Sequence, residues 1–278
     1  MPLVTKVSSS KEIVSEELLF TLEALAADNK NSVYVLSGKP KQVIDGWFSS
    51  VKNLGLAAEY GYHFRPHGEK DWIANKKSKC AEWEVKASAI FAQYRDRTDG
   101  SNIEAKDNSL VWVYKECDPE LGNWQANDLK QTLKNELSQY HDITIIHGKG
   151  FVEVRPKNLQ KGKLAASIIR EVEAKKGKID FVFCIGDDIV DEEMFKKVNA
   201  MSRKEKTPAK GKNKQSEKRC HYYTCTVGKK PSYANYYVND YLDTLDILQS
   251  MNGLSIKVFF AYKKLFYNSV PKVDLMKT

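Results

Sequence analysis

Three acidic residues follow an apolar run late in the chain, and their types and spacing could bind a hard cation. The run at 181–185 (FVFCI) ends at a glycine, and Asp187, Asp188 and Asp191 come directly after it. The apolar run predicts a buried parallel strand, and the spacing at 189–198 predicts a helix with acids in its first turn. Open α/β sheets bind cations and phosphate groups at the carboxyl ends of their strands. The segment is therefore a candidate Mg²⁺ site, and the alternative is a surface turn with an N-capping aspartate.

Two other polar side chains stand at the ends of predicted elements. Ser37 follows the short β-branched run at 32–36, where its hydroxyl and the next amides could hold a phosphate oxygen. Lys161 begins a predicted helix, where its ammonium could neutralise a phosphoryl group. A serine, a lysine and an acid pair at successive element ends are the components of metal-assisted phosphoryl transfer. Taken singly, Ser37 could be a turn residue and Lys161 a solvated lysine.

The order of the predicted elements indicates an α/β protein with an inserted domain. Helix and strand patterns alternate through the first third and resume after residue 162, which predicts a Rossmann-like, doubly wound parallel sheet. Between these parts, a strand at 109–115, a helix and a hairpin around 148–150 predict a small antiparallel α+β cap. The predicted division is a core at 1–66 and 157–250, a cap at 67–156, and a tail of unassigned role at 251–278.

Composition limits the classes of protein that the chain can be. Of the 278 residues, 42% are hydrophobic and 29% are charged, which is ordinary for a soluble globular protein. No apolar run is long enough to span a membrane, and we expect no secretory signal in the first ten residues. The five cysteines are odd in number and scattered, which favours free thiols in the cytoplasm over disulfides.

The positive charge of the chain is concentrated in one segment. Residues 202–219 contain eight Lys or Arg and two Glu, so they carry +6 of the net charge of +8. A lysine-rich segment without apolar residues predicts a disordered loop. Such a loop could contact RNA, an anionic membrane or an acidic protein, but we favour a solvated insertion. Nucleic acid and membranes are therefore not expected partners.

Seven segments of the chain, in order, resemble one family of phosphohydrolases. They are VYVLSGKPKQVIDGWF, LGLAAEYGYHFR, IEAKDNSLVWVYK, GNWQANDL, GFVEVRPKNLQKGK, FCIGDDIVDEEMF and TVGKKPSYANYYVND. Their order and content resemble the trehalose-6-phosphate phosphatase domain of the haloacid dehalogenase superfamily, as it occurs in the C-terminal half of eukaryotic trehalose-phosphate synthase/phosphatase proteins. The resemblance runs from about residue 2 to 248 and implies a Rossmann-like core with an inserted cap.

The resemblance also implies roles for individual residues. Ser37 would bind the transferring phosphate of trehalose 6-phosphate, and Lys161 would stabilise its charge. Asp187 and Asp188 would ligate Mg²⁺, with Asp191 supporting them. The sugar would be bound by carboxylates that accept and lysines that donate hydrogen bonds, and the alternative for these charges is a solvated sheet face. The implied substrate-binding residues are Lys39, Glu104, Lys106, Lys149 and Glu153.

The chain departs from the family pattern at its first motif. Family members carry a DxDGT-type motif, with a nucleophilic and a general-acid aspartate, just before a segment resembling residues 2–4. No aspartate precedes Asp28 in this sequence, and the first core strand would be missing with the motif. Lysine also replaces the family's arginine at Lys39 and Lys115, which removes a planar donor group from the grip on phosphate or sugar.

The sequence therefore leaves two main functions open. One is a Mg²⁺-dependent trehalose-phosphatase of trehalose biosynthesis, expected to be inactive as given because it lacks the nucleophile. The other is a pseudo-phosphatase that binds sugar phosphate or regulates a trehalose-phosphate synthase subunit or domain. A third, remoter hypothesis is a scaffold that binds nucleic acid or anionic surfaces through the basic loop. An in-frame strand and DxDGT motif upstream of Met1 would favour the first function.

Overall fold

The structure of the protein, a computed structural model, describes residues 5–8, 11–74, 81–206 and 219–253. The strands and helices, in chain order, are β1 (Thr5–Ser8), β2 (Lys11–Ile13), α1 (Glu16–Ala27), β3 (Tyr34–Leu36), α2 (Lys41–Phe48), β4 (Gly55–Ala58), β5 (His63–Arg65), β6 (Ile73–Ala74), α3 (Ala81–Asp96), β7 (Asn102–Ala105), β8 (Leu110–Val113), α4 (Pro119–Glu136), β9 (Ile143–Gly148), β10 (Phe151–Pro156), α5 (Lys161–Lys176), β11 (Phe181–Gly186), α6 (Glu192–Lys206), β12 (His221–Val227), β13 (Tyr236–Val238) and α7 (Tyr241–Met251).

Outside the cap, two β-sheets form the core. In one sheet, the order is β3-β4-β5-β6, with β3 parallel to β4 and the next two pairs antiparallel. In the other, β11, β12 and β13 are all parallel. The predicted α/β class with parallel core strands is confirmed. The antiparallel β5 and β6 were not predicted, because two or three residues are too few to reveal an alternating pattern.

Side-chain packing, rather than a shared strand, joins the two core sheets. Among the described strands, β3 pairs only with β4, and β11 pairs only with β12. Leu36 of β3 and Val182 of β11 both pack against the same buried cluster, which includes Ile169 of α5 and Phe195 of α6. The helices α5 and α6 therefore hold β3 and β11 in one region of the molecule.

A separate antiparallel sheet and two helices form the cap. The strand order is β7-β8-β10-β9, and each neighbouring pair is antiparallel. Phe91 of α3 and Leu129 of α4 belong to the same buried cluster as Trp112 of β8, and all three side chains are fully buried. The predicted hairpin is the β9–β10 pair, which turns at Gly150 with a φ of 79°. The predicted inserted α+β cap is thus present.

The structure shifts the edges of two predicted segments. The cap was predicted to begin at 67, but β6 pairs with β5 in a core sheet, so we propose that the cap begins after it. Trp72 anchors this segment to the core, because its Nε1 donates to Asp45 at 3.1 Å. The basic loop was predicted from residue 202, but α6 continues to Lys206, since Met201 packs against the core and the following residues favour helix.

Several predictions fall on residues outside the described ranges. These are the rest of the basic segment, at 207–218, and the tail at 254–278. The four described cysteines are all free thiols, as the sequence predicted. No helix among the described residues has the length and apolar content needed to cross a lipid bilayer.

The buried face of α4 predicts how the stability of the cap changes when a side chain on that helix is shortened. Leu129→Ala should lower the free energy of unfolding by about 2–5 kcal/mol, because it opens a cavity beside Trp112. Leu121, on the same helix, is 41% exposed, so Leu121→Ala should change that free energy by less than about 0.5 kcal/mol. Urea denaturation of both variants checks this, and equal effects would contradict the described face of α4.

Candidate functional site between core and cap

Asp191 organises the acidic loop that follows β11. Its side chain is buried, and its Oδ2 accepts hydrogen bonds from the backbone N–H groups of Asp187 and Asp188, each at 3.1 Å. Its Oδ1 accepts a hydrogen bond from Lys161 Nζ at 2.6 Å. Gly186 makes room for this arrangement, because a Cβ there would lie 2.4 Å from Asp191 Cγ. The carboxylate of Asp191 thus folds the loop and holds Lys161.

Asp187 and Asp188 are the partly exposed carboxylates of the same loop. Asp188 caps a short 3₁₀ turn (Ile189–Asp191), because its Oδ1 accepts from the Ile189 N–H at 2.6 Å. The N-capping alternative therefore holds for one of its two carboxylate oxygens. The other oxygen and the carboxylate of Asp187 are the groups of this loop that fit a hard cation, since such ions prefer carboxylate oxygens. Lys230 Nζ donates a hydrogen bond to the backbone carbonyl of Asp187.

Ser37 lies at the end of β3 and is buried. Its Oγ accepts a hydrogen bond from the backbone N–H of Lys39 at 3.1 Å, so the hydroxyl shapes the turn through Gly38. Both of the predicted roles, turn residue and phosphate contact, are compatible with this position, because an oxygen that accepts one bond can still donate its own proton.

Two of the predicted sugar-binding residues reach the loop of Ser37. Lys106 Nζ donates to the Gly38 carbonyl at 3.0 Å and to Glu153 Oε1 at 3.3 Å. Glu153 is completely buried and also accepts from Ser109 Oγ at 2.9 Å, so the alternative of a solvated sheet face does not hold for it. Of the other three, Glu104 and Lys149 lie at the exposed surface of the cap, and Lys39 is half-buried in the turn after Ser37.

Sequence reasoning missed Tyr60, which lies between the two halves of the site. Its hydroxyl donates to Glu153 Oε2 at 2.8 Å, and its ring lies directly against Gly38. Its backbone is left-handed, with a φ of 58°, which no sequence pattern predicts for a tyrosine. Burial, and then the negative charge of Glu153, raises the pKa of Tyr60 well above its usual value, with Asp188 adding to the effect. The hydroxyl is therefore a donor at neutral pH.

Arg155 is the second residue that sequence reasoning did not assign to the site. The alternation along β10 places it on the face of Glu153, which was the available signal. Its guanidinium carbon lies 3.4 Å from the centroid of the Tyr60 ring, in cation–π geometry. The side chain is buried, and its Nε and Nη1 have no hydrogen-bond partner in the part of the chain that the structure describes.

A further polar group joins the core to the cap beside Tyr60. It consists of Glu59, His63 and Asp107, whose ligand atoms all lie within 4.8 Å of one another, the one such group of three among the described residues. His63 Nε2 and Asp107 Oδ2 are 2.7 Å apart, and Glu59 accepts from the Asn108 N–H at 3.2 Å. Burial, and then the charge of Asp107, raises the pKa of Glu59. The group fastens the loop of Tyr60 to the β7–β8 turn.

Comparison with known proteins places the chain in a family. A sequence profile of the Trehalose-phosphatase family matches residues 3–241. An Arabidopsis thaliana protein named alpha,alpha-trehalose-phosphate synthase [UDP-forming] 5 is 36% identical over 241 residues, which are 87% of this chain and 26% of that protein. A Schizosaccharomyces pombe protein named trehalose-phosphatase is 33% identical over 241 residues, which are 86% of this chain and 28% of that protein.

A solved structure supports the same relationship. The C-terminal domain of Candida albicans trehalose-6-phosphate phosphatase superposes with a TM-score of 0.79 and 31% sequence identity, over 91% of this chain and 89% of that one. The two curated relatives are longer, and this chain spans 26% and 28% of their lengths. The match to the family profile and the similarity to these relatives agree, and the chain belongs to the trehalose-phosphatase family.

Proposed function

We propose that this chain binds trehalose 6-phosphate between its core and its cap, with Mg²⁺ at the acidic loop. The observation that carries the proposal is the contact of Lys106 Nζ with the Gly38 carbonyl at 3.0 Å. It brings a cap lysine of the predicted sugar site against the loop of the predicted phosphate site. A ligand with a phosphate at one end and hydroxyls at the other fits such a junction.

The identity of the sugar is supported by the relatives. The Schizosaccharomyces pombe relative is named a trehalose-phosphatase, and the Candida albicans domain a trehalose-6-phosphate phosphatase. In this chain, the buried Glu153 would accept hydrogen bonds from sugar hydroxyls and Lys106 would donate to sugar oxygens. The exposed Glu104 and Lys149 would join them, and Lys39 would contact the phosphate end from the turn after Ser37.

The phosphate end of the ligand would lie among Ser37, Lys161 and the acidic loop. Asp187 and Asp188 would hold Mg²⁺, which supplies positive charge to phosphate oxygens when it is bound. Ser37 would donate its hydroxyl proton to a phosphate oxygen. Asp191 would act through its neighbours, because its two oxygens hold Lys161 and the loop amides.

Binding and hydrolysis are separate parts of this proposal. Hydrolysis through an aspartyl-phosphate needs a nucleophilic carboxylate, and no aspartate precedes Asp28 in this sequence. We therefore propose that these 278 residues bind the sugar phosphate without turning it over. The proposed partner is a trehalose-phosphate synthase subunit or domain, because the Arabidopsis relative is named a synthase. The free cysteines support a cytoplasmic location.

Asp187→Asn tests the metal end of the site. Calorimetric titration with trehalose 6-phosphate in the presence of Mg²⁺ should show binding to the unaltered chain and at least about tenfold weaker binding to the variant. Asp246→Asn, at an exposed position of α7, is the matched control and should bind normally. Equal binding by the two variants would contradict the proposed site. Phosphate release that disappears with Asp187→Asn would overturn the proposal of binding without turnover.

The substitution Asp191→Asn tests whether the Asp191 carboxylate stabilises the buried ammonium of Lys161. The free energy of unfolding should fall by about 3 kcal/mol, because the ammonium of Lys161 would stay buried without its partner. Glu171→Gln is the matched control, since it removes the carboxylate of an exposed pair with Lys175 at 2.7 Å and should have a much smaller effect. Urea denaturation measures both, and a smaller loss for Asp191→Asn than for Glu171→Gln would exclude this role.

A further inference from the structure

The side chain of Tyr60 spans the two ends of the proposed ligand site. At one end, its ring lies so close to Gly38 that a Cβ on the glycine would be 2.4 Å from Tyr60 Cζ. At the other end, its hydroxyl donates to Glu153 at 2.8 Å. A sugar phosphate held by the Ser37 loop and by Glu153 has to span the same two points.

We propose that Tyr60 is a gate in this site, whose hydroxyl takes the place of a sugar hydroxyl on Glu153. The inference rests on the proposed function, because it assumes that a sugar phosphate binds there. A sugar phosphate then has to displace the tyrosine hydroxyl before Glu153 can accept a bond from the sugar. Inorganic phosphate, which needs only the loop of Ser37 and the acidic loop, does not have to displace it.

Arg155 is an independent observation that points to a displaceable group at this position. Arg155 as a whole is 4% exposed and its guanidinium stacks on the Tyr60 ring, yet its Nε and Nη1 find no acceptor among the described residues. Buried donors without acceptors are unfavourable, so a native site normally supplies an oxygen for them. A ligand with several hydroxyl or phosphate oxygens would supply it once the ring has moved.

The backbone of the gate is held by the core, because the N–H groups of Glu59 and Tyr60 donate to the carbonyls of Lys39 and Ser37 at 3.1 and 2.9 Å. Glu59 and Tyr60 are both left-handed, with φ angles of 47° and 58°, a conformation that residues other than glycine adopt only when their surroundings hold them. From the cap, the Asn108 N–H donates a hydrogen bond to the side-chain carboxylate of Glu59. Asp107, next in the same turn, contacts His63 of the core. Release of Tyr60 from Glu153 should therefore loosen the joint between core and cap.

Tyr60→Phe tests the gate because it removes the hydroxyl and keeps the ring. In titrations with Mg²⁺, the variant should bind trehalose 6-phosphate about tenfold more tightly than the unaltered chain, since a competing hydrogen bond to a carboxylate is lost. Its affinity for inorganic phosphate should not change. Tyr62→Phe is the matched control, because Tyr62 is buried in the same apolar cluster and is not one of the donors to Glu153.

A second measurement needs no ligand. Hydrogen exchange at the Asn108 amide should be about tenfold faster in Tyr60→Phe than in Tyr62→Phe, because one of the bonds that closes the joint is missing.

The results of these titrations distinguish a failure of the gate from a failure of the proposed function. Unchanged or weaker binding of trehalose 6-phosphate by Tyr60→Phe, with the unaltered chain binding normally, would overturn the gate alone. A gain in affinity that is equal for inorganic phosphate would also overturn it. If neither the unaltered chain nor the folded variant binds trehalose 6-phosphate, the proposed function fails and the gate with it.

Discussion

The carboxylate of Glu153 has no contact with solvent, and it lies where the cap meets the core. A buried charge is strongly unfavourable unless it is paired and hydrogen-bonded, so its partners have to be in place whenever the cap is closed. Lys106 and Ser109 reach it from the cap, and Tyr60 reaches it from the core. Because Lys106 also donates to Gly38, one buried charge fixes both the closed position of the cap and the shape of the Ser37 loop.

The same electrostatic logic applies to the other side of the site. Lys161 is paired with Asp191 at 2.6 Å, as Lys106 is paired with Glu153, and all four side chains are nearly or fully buried. Each lysine charge is therefore already balanced by a carboxylate. An incoming phosphate monoester would add negative charge beside Asp187 and Asp188, and the proposed divalent cation at these carboxylates would offset it.

The sequence was sufficient for features that depend on local patterns. The strand and helix around the acidic loop follow from an apolar run and helical spacing, and the β9–β10 hairpin follows from its turn glycine. The alternation along β10 already placed Glu153 and Arg155 on one face. The gate could not be predicted, because the left-handed backbone of Tyr60 accompanies hydrogen bonds to Ser37 and Lys39, which lie some twenty residues earlier in the chain. The group of Glu59, His63 and Asp107 was also hidden, since its members come from distant parts of the chain.

Within the described part of the chain, side-chain packing is what connects the two core sheets, and this affects the geometry of the site. Ser37 ends one sheet, and Asp187 follows the other. Among the described residues, no backbone ladder fixes the distance between them, so the volumes of the side chains on α5 and α6 set it. An apolar core tolerates small changes of volume by shifting its elements by fractions of an ångström. The separation of Ser37 from Asp187 is therefore adjustable through core residues such as Ile169 and Phe195, which contain no polar side-chain atom.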